Sequence, residues 1–275
     1  MRRIFSFIIF ALTFHWANAQ VIPLPTAADT ARLVDLSSLK SDRRTMVALV
    51  FGQSNAANNG KVPYTPHHAS VLNYYDGKLY TAKDPMLGNT GAGGSVWTHL
   101  GDMLVDSGVY DKVIFIPIAV GGSSIDYWVN GDGAKKLQKT LQQLAEQKVK
   151  VTHILWHQGE TDNINNTSTA KYKEQLTVIL KNLRQSQSAD FYVSLVSYHP
   201  GPVAKPLGVD VVIRNGQQEF INENKGVLLG PDTDTIIYAI HRYDGVHFSD
   251  FGMKEYAKLW FSALKEKKEK VGRVK

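Results

Sequence analysis

Short apolar, β-branched runs recur along the chain and alternate with amphipathic stretches of helical length. This alternation is typical of a parallel sheet whose strands are joined by helices packed on its faces. Five runs have the length of strands: 46–51, 113–120, 151–156, 191–197 and 227–229. Five stretches have the length and periodicity of helices: 96–106, 134–147, 169–185, 211–224 and 249–265. The pattern predicts an α/β domain with a five-stranded parallel sheet.

The start of the chain differs from this pattern. Two arginines are followed by an almost uncharged apolar run at 4–16, and the small-x-small sequence Ala-Asn-Ala stands at 17–19. These features predict a secretory signal peptide over residues 1–19. An uncleaved membrane anchor is the alternative, but the run is shorter than the roughly 20 residues that span a bilayer. We therefore expect a single domain over residues 20–275, exported to the periplasm or secreted, with no membrane span after cleavage.

Composition excludes several classes of site and partner. The chain contains no cysteine, so disulfides and thiolate zinc sites are excluded. Its formal charge is +6, and part of that charge lies in the lysine-rich C-terminal end. Because no recognisable nucleic-acid-binding module accompanies this charge, we expect no nucleic-acid partner.

The connection at 56–94 is long for a compact α/β fold and is rich in Tyr, Asn and Gly. Loops of this length are frequently functional. Two interpretations remain open: an ordered surface excursion, or a wall of a substrate pocket. In open α/β sheets ligands bind beyond the carboxyl ends of the strands, where the motifs described next also fall.

Residues 52–55 read Gly-Gln-Ser-Asn and directly follow the first predicted strand. A serine at this strand-to-loop turn can present its hydroxyl as a nucleophile, although Ser54 alone could equally be a capping residue. A phosphate-binding loop is excluded, because Gly60-Lys61 is followed by Val62 instead of serine or threonine.

Two further motifs end the second and third predicted strands. Gly121-Gly122 permits close approach of the backbone to a ligand, so that an N–H can stabilise a developing oxyanion. Gln158-Gly159-Glu160 places an amide and a carboxyl at the same rim, and the Gln158 amide could be a further oxyanion donor. Each motif also has a structural explanation, in a tight turn or a helix cap.

Asp244 and His247 form a DxxH motif just before Ser249, which we expect to be the N-cap of the last helix. A serine hydroxyl needs a base, and imidazole suits that task near neutral pH. A carboxylate three residues earlier can bind the second ring nitrogen and fix its tautomer. In isolation the motif could equally be a surface turn.

In combination and in this order, the motifs resemble those of the SGNH hydrolases. Within that superfamily they resemble the branch of sialic-acid O-acetylesterases and acetylxylan esterases, whose blocks include GQSN, a glycine pair, QGE and DxxH. The resemblance covers residues 46–265. It implies a three-layer α/β/α sandwich with a five-stranded parallel sheet of flavodoxin-like topology.

The resemblance also implies roles. Ser54 is the nucleophile, His247 the base and Asp244 the acid that orients it, while Glu160 is an alternative acid. The oxyanion hole combines the N–H groups of Ser54 and Gly122 with the Gln158 amide. Residues expected at the substrate are Gln53, Asn55, Tyr127 and Trp128.

We expect no metal and no cofactor, since the two histidines that could share one side of a strand, His153 and His157, lack an acid or cysteine at ligand spacing. The implied function is a serine esterase that removes O-acetyl groups from an acetylated carbohydrate, such as sialic acid, xylan or another polysaccharide. The alternatives are a lipid-type esterase or thioesterase with the same triad, and a non-catalytic glycan-binding protein.

Overall fold

A computed structural model describes the backbone of residues 22–39, 44–201 and 205–272, with side chains to residue 265. The predicted signal peptide at 1–19 lies outside these residues. One open sheet runs through the described part of the chain, in the order β1-β4-β3-β5-β2-β6-β7-β8. Its strands are β1 Leu33–Val34, β2 Thr45–Gly52, β3 Val71–Tyr75, β4 Lys78–Thr81, β5 Lys112–Pro117, β6 His153–His157, β7 Asp190–Leu195 and β8 Val227–Asp232.

The five predicted strands form the centre of this sheet. β5, β2, β6, β7 and β8 are parallel neighbours in that order, which is the flavodoxin-like order expected from the resemblance. The predicted number of strands was too low. β3 adds a sixth parallel strand beside β5. β4 then pairs antiparallel with β3, and β1 pairs antiparallel with β4.

Helices cover both faces of the sheet, as the three-layer prediction requires. The described helices are α1 Ala27–Thr30, α2 Val96–Asp106, α3 Ile125–Val129, α4 Asp132–Glu146, α5 Glu160–Ile164, α6 Thr169–Arg184, α7 Val211–Glu223 and α8 Asp250–Gly272. Successive residues of β2 alternate between two cores, because side chains along a strand point to opposite faces. Phe51 belongs to the core under α3, α4, α6 and α7, and Val50 to the core under α2 and α8. None of the described helices has the length and apolar character needed to cross a membrane.

The long connection at 56–94 is an integral part of this sheet, because it contains β3 and β4. Three fully buried asparagines fasten it. Asn58 accepts from the N–H of Met86, and Asn89 accepts from the N–H of Ala119. Asn73 accepts from the N–H of Leu87 and donates to the carbonyl of the same residue. These amides satisfy buried backbone groups, so their side chains support the connection from inside the fold.

Candidate active site

Ser54 lies at the carboxyl end of β2, in the middle of the sheet. The preceding Gly52 has φ +132°, and a Cβ there would lie 2.0 Å from the carbonyl oxygen of His157. Only glycine permits β2 to end so close to β6. The serine opens a short 3₁₀ turn, Ser54–Ala56, whose last carbonyl accepts a hydrogen bond from the Trp97 indole at 2.7 Å. Ser54 thus lies in a turn that is hydrogen-bonded to α2, with 5% of its surface exposed.

Asp244 and His247 are paired within a tight turn before α8. The Nδ1 atom of His247 lies 2.7 Å from Oδ2 of Asp244. The other carboxylate oxygen accepts the N–H groups of Val246 and His247, at 2.9 and 2.7 Å. Burial acts to raise the pKa of Asp244, but the hydrogen bonds from His247 and Val246 outweigh it and lower the pKa to about 2. The group that faces the imidazole is thus a carboxylate.

Ser249 follows this turn and caps α8 as predicted, since its hydroxyl accepts the N–H of Gly252 at 3.0 Å. Its own hydroxyl donates to the carbonyl of Ile240 at 2.6 Å. These contacts fix the direction in which the chain leaves the turn. The position of the turn is therefore defined from its C-terminal side.

Asn55 connects the serine turn to the histidine turn. Its Nδ2 atom donates to Oε1 of Glu160 at 2.9 Å and to the backbone carbonyl of Val246 at 3.3 Å. The first and last motifs, nearly 200 residues apart in sequence, are thereby joined through neighbours of Ser54 and His247. Within the described residues no hydrogen bond links the Ser54 hydroxyl to the His247 ring. Catalytic hydrogen bonds are often loose until substrate binds.

A comparison with protein families identifies residues 44–227 with the carbohydrate esterase, sialic acid-specific acetylesterase family. This match covers more than half of the chain. The chain belongs to this esterase family. It is accordingly a carboxylic ester hydrolase by family, which is the general class of activity that the motifs predict. No curated protein matches the sequence.

Solved structures resemble the esterase in fold. A protein from Arabidopsis thaliana has a TM-score of 0.63 and 16% sequence identity, and the match covers 81% of this chain and 98% of that chain. A carbohydrate acetylesterase from Xanthomonas citri has a TM-score of 0.54 and 15% identity, covering 79% of this chain and 55% of that one. The lipase/acylhydrolase from Enterococcus faecalis has a TM-score of 0.50 and 16% identity, covering 82% and 96%.

In the esterase, the predicted oxyanion hole requires the backbone N–H groups of Ser54 and Gly122. Gly122 has φ +68°, a left-handed conformation that suits glycine. In the described part of the chain, neither its N–H nor that of Ser54 donates to a protein acceptor. The two segments are adjacent, because Ser123 donates its hydroxyl to the carbonyl of Gly52 at 3.3 Å. This arrangement is compatible with the predicted oxyanion hole.

Gln158 is the predicted third donor, but its amide is occupied. The Nε2 atom lies within hydrogen-bond distance of Gln53 Oε1 at 3.1 Å, the Ser123 carbonyl at 3.1 Å and Asp162 Oδ2 at 2.6 Å. Its oxygen accepts the Tyr172 hydroxyl at 2.9 Å. Because an amide has only two hydrogens, none is left for an oxyanion in this conformation. The geometry assigns Gln158 to support of the rim, and the backbone donors remain.

Glu160, the alternative acid, does not contact the His247 ring. It is 1% exposed, and its Oε1 accepts from Asn55 and lies 3.3 Å from Nε2 of His157. Burial acts to raise the pKa of Glu160, whereas His157 and the Asn55 amide stabilise its carboxylate and lower the pKa overall. Asp244 is therefore the acid that the geometry pairs with His247.

Of the four residues predicted to contact the substrate, most are buried and make contacts within the protein. Gln53 is buried, and its side-chain oxygen accepts the N–H groups of Gly159 and Thr161 at 3.4 and 3.1 Å. Asn55 is buried and makes the connection described above. The position of Trp128 contradicts its predicted role, because the ring is fully buried in the core against Phe51. Tyr127 is half-buried and packs edge-on to Trp128.

Arg242 is an important residue of the site that the sequence analysis does not identify. It is 3% exposed and donates to the carbonyls of Val246 at 2.6 Å and Ile236 at 2.9 Å. Its guanidinium stacks over the Phe248 ring at 3.8 Å. Burial lowers the pKa of Arg242 to about 10, so it stays charged at neutral pH. It holds the turn that carries Asp244 and His247 through the Val246 carbonyl, and its place two residues before Asp244 is the one sequence signal.

Proposed function

We propose that this esterase removes O-acetyl groups from a carbohydrate through an acyl-serine intermediate. The observation that carries the proposal is the contact of 2.7 Å between Asp244 and His247, on a turn that is hydrogen-bonded to Asn55, the residue after Ser54. A serine, an imidazole and an ionised carboxylate are the groups that nucleophilic ester cleavage needs.

In the proposed reaction, Ser54 Oγ attacks the acetyl carbon while Nε2 of His247 accepts the hydroxyl proton. The N–H groups of Ser54 and Gly122 stabilise the negative oxygen of the tetrahedral intermediate. His247 then donates the proton to the departing sugar oxygen, and the C–O bond breaks to leave acetyl-Ser54. Water attacks this ester in the second half-reaction while His247 takes one of its protons. His247 then returns that proton to Ser54 Oγ as the acyl C–O bond breaks, which restores the Ser54 hydroxyl and releases acetic acid, which ionises to acetate. Asp244 holds the ring orientation throughout.

Two features favour a carbohydrate over a lipid as the substrate. The family is one of carbohydrate esterases. In addition, the segment that carries the catalytic turn exposes aromatic side chains, Tyr238 at 66% and Tyr243 at 44% exposure, and the Tyr243 ring lies 6.2 Å from the His247 ring. Aromatic side chains that combine an apolar face with a hydroxyl suit the mixed polar and apolar surface of sugar rings.

We also propose that the esterase acts outside the cytoplasm. This proposal rests on the basic start, the apolar run and the small-x-small sequence in residues 1–19. Fractionation of cells that express the full chain, followed by N-terminal sequencing of the esterase, tests it. Recovery of the uncleaved chain in the cytoplasm would overturn it.

Acetate release from a panel of acetylated glycans tests the proposed activity. The panel contains O-acetylated sialic acids, acetylated xylan and an acetylated capsular polysaccharide, with Ser54→Ala as the matched control. We expect acetate from at least one glycan, with a rate at least about 10⁴-fold lower in the folded control. Cleavage of long-chain esters with no glycan deacetylated would favour the lipid-type alternative. Full activity in the control would remove Ser54 as nucleophile.

A further inference from the structure

Two histidines and two aspartates lie close together near the amino ends of the strands, whereas Ser54 lies at the carboxyl end of β2. His67 and His68 lie in the connection a few residues before β3, and Asp102 and Asp106 are one turn apart on α2. The histidines and Asp102 alone bring three potential metal-ligand atoms within 4.8 Å of one another. Sequence spacing does not predict this cluster, because its two halves are separated by more than 30 residues.

Asp102 is the buried centre of the cluster. Its side chain is only 4% exposed, and its Oδ2 accepts the Tyr64 hydroxyl at 2.7 Å. It also accepts the backbone N–H groups of His67 at 2.9 Å and His68 at 3.1 Å. A carboxylate with this many donors is fixed in place, and it fixes the backbone of both histidines. The cluster is thus built into the fold before any ligand arrives.

Both imidazole rings point the same nitrogen at one carboxylate oxygen. Nε2 of His67 lies 3.1 Å from Oδ1 of Asp106, and Nε2 of His68 lies 2.6 Å from the same atom. The opposite nitrogen of His67, Nδ1, lies 2.8 Å from Oδ2 of the buried Asp102. Histidine ligands of metals characteristically place their second nitrogen against such a carboxylate, which fixes the tautomer and the ring orientation.

We propose that His67 and His68 through Nε2, together with the Asp106 carboxylate, bind a divalent transition-metal ion of the zinc type. Asp102 orients His67 without contacting the ion. Two imidazoles and a carboxylate favour zinc, copper or nickel over magnesium and calcium, which prefer oxygen ligands. The side chains of His67 and Asp106 are 56% and 53% exposed, so solvent ions have access and water can complete the coordination.

This metal site is remote from the chemistry. The start of β3 is level with Met46 at the amino end of β2, because Val71 and Met46 both align with Val113. Ser54 follows Gly52 at the other end of β2, about 20 Å away at a rise of roughly 3.3 Å per residue. The ion would therefore link α2 to the segment that precedes β3 and so stabilise the fold. It would not take part in ester cleavage.

Titration of tag-free, EDTA-treated protein with zinc chloride tests the site, with magnesium chloride in parallel. We expect saturable binding of one zinc ion by calorimetry and a melting temperature raised by at least about 3 °C when zinc is well above its dissociation constant. Magnesium should give neither effect. Hydrolysis of p-nitrophenyl acetate by the folded enzyme should be unchanged by zinc or EDTA.

Matched variants distinguish this site from non-specific binding to surface histidines. His67→Gln and His68→Gln should each weaken zinc binding at least about 10-fold, as should Asp106→Asn. Asp76→Asn is the control, because Asp76 is an exposed carboxylate at φ 45°, a conformation that asparagine adopts readily. If the variants bind zinc like the control, or if the intact protein shows no zinc-dependent shift, the cluster is a metal-free ion pair and the proposal is wrong.

Discussion

The side-chain amide of Asn55 donates to the backbone carbonyl of Val246, and so joins the residue after Ser54 to the residue before His247. The same nitrogen donates to the buried carboxylate of Glu160. The relative position of the proposed nucleophile and base is thus held in part by an amide that touches neither side chain.

Asn55→Ala should therefore act on kcat. We expect a loss of about 10- to 100-fold in kcat with little change in KM, because a displacement of the order of 1 Å between the reacting groups can cost about 100-fold. Initial rates on p-nitrophenyl acetate measure this split. Asn130→Ala is the control, since Asn130 makes an exposed hydrogen bond to Asp126. Equal kcat values in the two variants would show that Asn55 does not position the site.

Substitution of the two acids tests which one serves His247. Asp244→Asn should reduce kcat by about 10²- to 10⁴-fold, because a neutral amide neither fixes the imidazole tautomer nor stabilises the imidazolium. Glu160→Gln keeps the shape of a side chain that faces Asn55 and His157, so its effect on kcat should be much smaller. Circular dichroism checks that both variants are folded. A larger loss in Glu160→Gln would exchange the two roles.

The pH profile should show no titration of Asp244 in the range where the enzyme is assayed. Its pKa is lowered from 3.8 to about 2, so the carboxylate remains ionised as the pH falls and gains a proton only near pH 2. Its stabilising effect on the turn is present above about pH 4 and is lost between about pH 4 and pH 2. Protonation of Asp244 consequently contributes no decline in kcat/KM above about pH 4. A stopped-flow pH series on the intact enzyme and on Asp244→Asn measures this, and the same loss of kcat/KM between pH 4 and pH 2 in both proteins would contradict its assignment to Asp244.

The central strands and their chemistry are predictable from sequence because they are buried on both faces. The run at 46–51 is entirely buried, which produces the continuous apolar sequence that marks a strand of a parallel sheet. β3 is harder to recognise, since its sequence Val-Leu-Asn-Tyr-Tyr places a polar residue inside the strand. Asn73 is there to satisfy the backbone of Leu87, a purpose visible only once the connection is folded.

The residues of the site also divide into those that the sequence predicts and those whose role depends on contacts within the folded chain. Glycine and serine types at strand ends indicate the catalytic rim, but the sequence does not show which polar groups are already paired. From the sequence, Gln158 and Gln53 could each bind a substrate through a side-chain amide. In the structure the Gln158 amide instead donates to the side-chain oxygen of Gln53. Trp128 follows a glycine motif as a pocket residue would, yet its indole donates to the Ser123 hydroxyl from within the core. Partners far apart in sequence decide these roles.

Acyl-chain selectivity is the prediction that separates the carbohydrate esterase from the lipid-type alternative. The end of β2 and the segments that follow β5 and β6 carry small or polar residues, among them Gly52, Gly122 and Gln158. Beneath them, the fully buried Trp128 and Trp156 rings pack edge to face at 6.0 Å. Room for a long acyl chain would require repacking of this aromatic core, which typically costs about 1–3 kcal/mol.

We therefore expect p-nitrophenyl acetate to be cleaved with a higher kcat/KM than the butyrate, and the octanoate to be nearly inert. A lipid esterase would show the opposite trend, because each methylene buried in an apolar channel favours binding by about 0.8 kcal/mol. Initial rates across the ester series, with Ser54→Ala as the background at each length, measure the profile. Because the leaving group is the same in every ester, differences between them reflect the acyl site. A kcat/KM that rises from acetate to octanoate would exclude the deacetylase proposal. The proposed serine, histidine and aspartate would then cleave esters of longer acyl chains.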